Sequence, residues 1–205
     1  ATHCGTEHYD TYVTSELLGT IPRLVYCLDE PSDPIAACIY EVARLASRHV
    51  KVVLGGDGGD EIFAGFDRYA AYDLVQRYAR VPRWLWNGLI APAIRSMPES
   101  FAYKSLSQRA RWLNAMLHEQ GGRRYARMTT FFRFGEEEKR WVYGPALVEE
   151  LAHWDPAEAI ATLFERAPAD CSLHRMLYAD LLTRLPEHTL MLADRMSMAH
   201  SLETR

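Results

Sequence analysis

Hydrophobic and polar positions change period several times along the chain. Ile35, Ala36, Ile39, Val42, Ala43 and Ala46 recur at spacings of three and four, with Glu41, Arg44, Ser47 and Arg48 opposite, which predicts an amphipathic helix packed on one side. Asp33 is placed to cap it and Pro34 to occupy its first turn. Val50 to Leu54 is short, apolar and β-branched, the pattern of a parallel strand covered on both faces. Upstream, the Thr, Tyr and Val content of Thr6–Val13 predicts an exposed or edge strand. A short helix over Ser15–Gly19 and a second run over Arg23–Leu28 should follow, ending at Asp29-Glu30-Pro31.

Beyond Phe66 no strand pattern returns. Ser105–Glu119 reads as a helix ended by Gly121-Gly122, and Glu136–Val142 as another with Glu136, Glu137 and Glu138 in its first turn. Leu173, Met176, Leu177, Leu181 and Leu182 form an apolar face that Pro186 ends or restarts, and Met191, Met196 and Met198 read as core. The organisation expected is α/β over residues 1–66 and mostly helical over 67–205.

The stretch Lys51–Phe66, KVVLGGDGGDEIFAGF, holds the densest chemistry. Strand, glycine-rich loop and helix in that order are where α/β proteins hold phosphate-bearing ligands, because glycines let backbone N–H groups come close. Here Asp57, Asp60 and Glu61 sit among Gly55, Gly56, Gly58 and Gly59. Carboxylates repel phosphates, so a nucleotide fits only with a divalent cation between them or with a carboxylate facing the other reactant. A calcium loop starting at Asp57 is excluded, since its twelfth position is Arg68. Two readings stay open. Asp60 and Glu61 can be a helix cap and first-turn acid, or one acid can serve Mg2+ and another act as a base. No GxxxxGK[ST] or GxGxxG motif is present.

Composition narrows the picture less. The 23 basic and 27 acidic residues give a net charge of −4 without long blocks, so neither nucleic-acid nor membrane binding is indicated. A cytoplasmic protein is expected. Cys4, Cys27, Cys38 and Cys171 lack metal or disulfide spacing and read as reduced thiols, with Cys27 and Cys38 buried. Trp84, Trp86, Trp112 and Trp154 read as core and docking surface.

LGGDGGDEIFAGF at Leu54–Phe66, DEP at Asp29–Pro31 and ADRMSMAHSLETR at Ala193–Arg205 resemble the synthetase domain of glutamine-dependent asparagine synthetases and related amidotransferases. The resemblance extends to the Phe132–Tyr143 stretch and the Leu185-Pro186 turn, and the main motifs lie about 130 residues apart. It implies an ATP-pyrophosphatase-type (adenine nucleotide alpha hydrolase-like) parallel sheet followed by a helical part. The implied reaction adenylates a carboxylate with ATP and Mg2+, and ammonia then displaces AMP. Aspartate is the leading substrate; a sugar acid, a peptide or a β-lactam precursor is the alternative. Under that resemblance Gly55, Gly56, Gly58 and Gly59 lie against ATP, and Asp57 takes a proton from the attacking ammonia. Asp60 and Glu61 serve the metal, and Arg195 faces the phosphates or the adenylate.

Three departures stand out. Gly55 replaces the usual Ser, Leu192 replaces a basic residue, and the Asp29–Pro34 turn is one residue short. The family's SGGxDS phosphate loop and glutaminase domain are expected before Ala1, so the chain reads as a fragment inactive alone, and the resemblance admits a homodimer. A helical docking module that keeps the loop as a relic is the competing class.

Overall fold

Asp33 starts its helix as expected, one residue later than the proline suggests. Its Oδ1 accepts the Ile35 N–H at 2.9 Å, and its carbonyl accepts the Ala36 N–H at 2.9 Å, so the helix proper begins at Ile35. The computed structural model describes residues 2–12, 17–31, 33–79, 81–98, 105–117, 119–129, 139 and 141–205. In chain order these hold α1 (Leu17–Leu28), α2 (Ile35–Ala46), β1 (Val52–Val53), α3 (Gly59–Phe63) and α4 (Asp67–Tyr78). A helical run follows as α5 (Arg83–Leu85), a π turn (Trp86–Ile90) and α6 (Ala91–Arg95). Then come α7 (Leu106–Met116), α8 (Gly121–Thr129), α9 (Pro145–Glu150), α10 (Ala157–Arg166) and α11 (Ser172–Leu182). A second π turn (Leu185–Leu190) leads into α12 (Met191–Met198) and β2 (Glu203–Thr204). No helix among the described residues is long and apolar enough to cross a membrane.

The contacts divide the chain into two compact units, residues 1–59 with 183–205, and residues 60–182. In the first, α1, α2 and α12 bury Leu24, Leu28, Ala36, Ala37, Tyr40, Leu192 and Met196 against one another. The strands that follow α2 and α12 pair in parallel, Val52 opposite Glu203 and Val53 opposite Thr204. Backbone bonds extend this ladder: Glu203 N–H to the Lys51 carbonyl at 3.0 Å, Arg205 N–H to Val53 at 2.9 Å, and Gly55 N–H to Arg205 at 2.8 Å. Each strand is thus delivered by a helix of the same small core.

The second unit packs Tyr69, Tyr72 and Val75 of α4 with Met116, Tyr125, Met128, Phe164, Met176 and Ala179. Its helices α8 and α10 approach at Gly122, where a Cβ would lie 2.6 Å from the Ala161 carbonyl oxygen. Trp86, Ala91 and Ile94 form a satellite cluster. The Trp86 indole donates to Asn114 Oδ1 at 2.7 Å, which satisfies its buried N–H.

Several expectations are corrected. Among the described residues Thr6–Tyr12 forms no strand; Tyr9 stacks on His49 at 4.4 Å, and β propensity without a ladder partner makes no strand. The two pieces expected between Ser15 and Leu28 are one helix through Pro22, held by burial of Leu24 and Leu28. The strand expected over Val50–Leu54 is only Val52–Val53 and is not covered on both faces, with Val52 44% and Leu54 86% exposed. A two-stranded ladder brings no further layer of its own to cover it. The buried side of α2 is Ala36, Ala37, Tyr40 and Ala43, so Ile35, Val42 and Cys38 face outward.

Gly121-Gly122 does not end the preceding helix. Ser105 caps α7 by accepting the Gln108 N–H at 3.3 Å, and the glycines open α8. Leu173, Leu181 and Leu182 are exposed, and α11 buries Met176, Ala179 and Asp180 instead. Met196 is core while Met198 is exposed. Trp86 is buried and Trp112 packs against the second core, whereas Trp84 and Trp154 are exposed. All four cysteines are unpaired. The expected Glu136–Val142 helix and the Phe132–Tyr143 stretch lie mostly outside the described residues.

Candidate functional site

β1 runs directly into the acidic glycine loop, and its four glycines do different work. Gly55 is tied by its N–H to the Arg205 carbonyl, so the loop leaves from the strand pair. Gly58 has φ +87 and Gly59 N–H returns to the Gly56 carbonyl at 3.2 Å, a turn that needs glycine at its third position. Gly58 is also buried, with room for a Cβ only at 3.4 Å from Leu185. Gly56 and Gly59 have nothing within 4 Å of where a Cβ would stand, so their backbone is open to close approach.

Asp57 is exposed, and its carboxylate folds back over Gly55, where a Cβ would lie 2.9 Å from Oδ2 and 3.4 Å from Thr204 Cγ2. A serine at 55 therefore requires that carboxylate to swing away. Because the obstacle is the end of an exposed side chain, the cost is small.

Arg195, on α12, is turned to the DEP turn. Its Nη1 lies 3.2 Å from Asp29 Oδ2 and 3.4 Å from the Cys27 carbonyl at the end of α1, where a cation also meets the negative helix terminus. Asp29 adopts a left-handed φ of +63 to reach it. Two of the motifs singled out in the sequence thus meet in the first unit. Leu192, three residues earlier, is 1% exposed inside the α1–α2–α12 core, so an apolar residue suits the place where relatives are expected to carry a base. His188 Nε2, on the π turn, is 3.2 Å from Asp33 Oδ2. His200 stacks on Tyr40 with ring centroids 4.3 Å apart, and its Nε2 is buried without a hydrogen-bond partner among the described residues. Burial, with Arg23 and Arg44 adding to it and Glu41 opposing, holds the His200 pKa below the ordinary imidazole value.

Asp60 and Glu61 belong to the second unit and are not brought to one point. They follow each other on α3, about 100° apart around the helix. Asp60 is exposed; Glu61 is 1% exposed, with Oε1 lacking a hydrogen-bond partner among the described residues. The helix ends with Ala64 at φ +58 and Gly65 N–H bonded back to the Asp60 carbonyl at 2.9 Å. The Asp60 carboxylate covers Gly65 so closely that a Cβ there would sit on Oδ1. Among the described residues no three His, Cys, Asp or Glu side chains gather into a cluster able to hold a metal alone.

A polar network in the second unit has no counterpart in the sequence reading. Asp180 Oδ2 accepts from Arg68 Nη2 in a short ion pair and from the Tyr69 hydroxyl at 2.6 Å, and Arg68 Nε reaches the Tyr125 hydroxyl at 3.2 Å. Burial, reinforced by Asp180, pushes both phenols well above their ordinary pKa. Burial opposes the charge on Arg68, but Tyr125 and Asp180 outweigh it and the guanidinium stays protonated. The available signal was an acid at position 180 on the helix face carrying Met176 and Ala179.

No solved structure matches the chain. Among curated proteins, asparagine synthetase [glutamine-hydrolyzing] 1 of Bacillus subtilis (strain 168) is 29% identical over 93% of this chain and 28% of its own length. A putative asparagine synthetase [glutamine-hydrolyzing] of Mycobacterium bovis and one of Mycobacterium tuberculosis (strain H37Rv) are each 30% identical over 98% of this chain and 29% of their own length. The chain thus spans less than a third of the curated relatives it matches. With the asparagine synthase model matching residues 1–205 from end to end, the chain belongs to that family.

Proposed function

We propose that the full-length protein is an ATP-dependent amide ligase that converts aspartate to asparagine through an acyl-adenylate, with ammonia released from glutamine as nitrogen donor. The observation that carries this reading is the parallel pairing of β1 with β2. It sets the acidic glycine loop beside the SLETR terminus, with Gly55 bonded to Arg205 at 2.8 Å. Family membership supports the reaction class, and the glutaminase activity is assigned to another part of the full-length protein. The ATP-pyrophosphatase-type fold and a cytoplasmic location belong to the same proposal.

The residues divide the work. Gly56 offers open backbone to the nucleotide, Gly59 leaves room beside it while its N–H closes the turn that Gly58 makes, and Gly55 anchors that turn to β2. Ammonium must lose a proton before it attacks, and Asp57 is the carboxylate assigned to receive it. Mg2+ would neutralise the charge of the leaving pyrophosphate. Asp60 would hold it: such an ion takes one or two carboxylates, keeps several waters and completes its shell with substrate phosphates. Arg195 is assigned to the phosphates; an ion pair as exposed as Arg195–Asp29 is weak enough to be exchanged.

The test uses the full-length protein with ATP, Mg2+, ammonia and aspartate labelled with oxygen-18 in its side-chain carboxylate. The reading predicts AMP and pyrophosphate in equal amounts with one label transferred to AMP. Release of ADP and phosphate would contradict it.

A further inference from the structure

We propose that Arg68 is a positioning residue for the Asp60 carboxylate, acting through Phe66. The inference rests on the proposal that Asp60 holds the metal. All the residues concerned lie in the second unit.

Asp60 is exposed, and its carboxylate rests against Gly65. It lies across the Cα of Gly65, and the Gly65 N–H is bonded to the Asp60 carbonyl at 2.9 Å. Its placement therefore follows the backbone of Ala64-Gly65-Phe66. That backbone is under strain, since Ala64 holds a left-handed φ of +58 that costs an alanine about 1–2 kcal/mol. Something must hold the segment there.

Phe66 is the anchor in reach. Its ring packs against the second core, and the Arg68 guanidinium lies over it at 3.8 Å from the ring centroid. The Phe66 carbonyl accepts the Tyr69 N–H at 3.1 Å as α4 begins. Arg68 is itself fixed at the far side by Asp180 on α11 and by Tyr125 on α8. Two helices, α8 and α11, therefore hold a guanidinium carried by α4, the guanidinium lies over the Phe66 ring, and the ring anchors the strained turn that carries Gly65. Groups that orient a metal-ligating side chain commonly set metal affinity by about 10-fold or more; here the orientation would pass through the Phe66 ring and the turn backbone. A purely structural network would leave that affinity alone.

The probe is Mn2+, its free concentration read by electron paramagnetic resonance in the full-length protein with ATP present. Asp60→Asn first tests the underlying reading; if it leaves Mn2+ binding unchanged, both that reading and the role of Arg68 fall. Arg68→Met alone strands Asp180 and can unfold the unit. The double variant Arg68→Met/Asp180→Leu removes both charges and keeps an apolar core. It is expected to fold, shown by an unaltered far-ultraviolet spectrum, and to need roughly 10-fold more Mn2+ for half-saturation. Phe66→Ala, which leaves the Arg68–Asp180 pair in place, should shift half-saturation in the same direction. If Asp60→Asn abolishes binding while both other variants bind Mn2+ like the parent, Arg68 has no positioning role.

Discussion

Replacing Gly122 with alanine should destabilise the second unit by about 3 kcal/mol. A Cβ there would stand 2.6 Å from the Ala161 carbonyl oxygen, 2.8 Å from its Cα and 3.0 Å from its carbonyl carbon. All three atoms are backbone of α10, so no rotamer change relieves them. The helices must part by roughly 0.6–0.8 Å to restore ordinary contact distances. Overpacking usually costs about 1–3 kcal/mol, and a clash between two helix backbones belongs at the upper end. Separation also stretches the 2.9 Å bond from Gly122 N–H to Glu165 Oε1, a further ~1 kcal/mol. Against this, alanine gains at most about 1 kcal/mol of helix propensity. Urea unfolding followed by far-ultraviolet circular dichroism and tryptophan fluorescence reads the sum. Gly88→Ala, where a Cβ meets nothing within 4 Å, is the control and should be neutral or stabilising. If Gly122→Ala is as stable as the parent or more stable, α8 and α10 do not meet at this residue.

Two further outcomes follow from the first unit. Leu192→Lys would place an unpaired ammonium in a core of Leu24, Leu28, Tyr40 and Met196, and should cost about 3–5 kcal/mol in urea unfolding at pH 7, less at a pH high enough to neutralise it. His200 has its pKa lowered by burial, then by Arg23 and Arg44, so the unfolded chain binds more protons between the folded and ordinary imidazole values. Its stabilising contribution is therefore complete above about pH 6.5 and lost as pH falls below it, and His200→Gln should flatten that limb of a stability–pH profile.

What the sequence could reveal depended on how local the cause was. Asp33 declared its helix because a cap acts within three residues. The loop was legible because glycine at 58 and the acids at 57, 60 and 61 have local meanings. The pairing of β1 with residues 203–204 was not, since two short segments far apart carry no register signal of their own. Gly121-Gly122 was misread as a helix end because a glycine required by a neighbouring helix looks the same in sequence as one required by a turn. Asp180 was hidden for a related reason. Its partners Arg68 and Tyr69 come from α4, with Tyr125 of α8 bonded to Arg68 behind them, and only their convergence turns a buried acid into a satisfied one. The opposite fates of Asp60 and Glu61 follow from helix geometry, which sends adjacent side chains apart.

The central claim is that the acidic glycine loop serves two reactants, with Asp57 set toward ammonia and the metal left to Asp60. Asp57→Asn in the full-length protein tests it through two rates taken side by side, aspartate-dependent exchange of pyrophosphate into ATP and ammonia-dependent formation of asparagine. With Asp57 as the base, exchange should persist within a few-fold while amide formation falls by roughly 100-fold or more, the usual contribution of a positioned base. Unchanged amide formation, or equal loss of both rates, would contradict it.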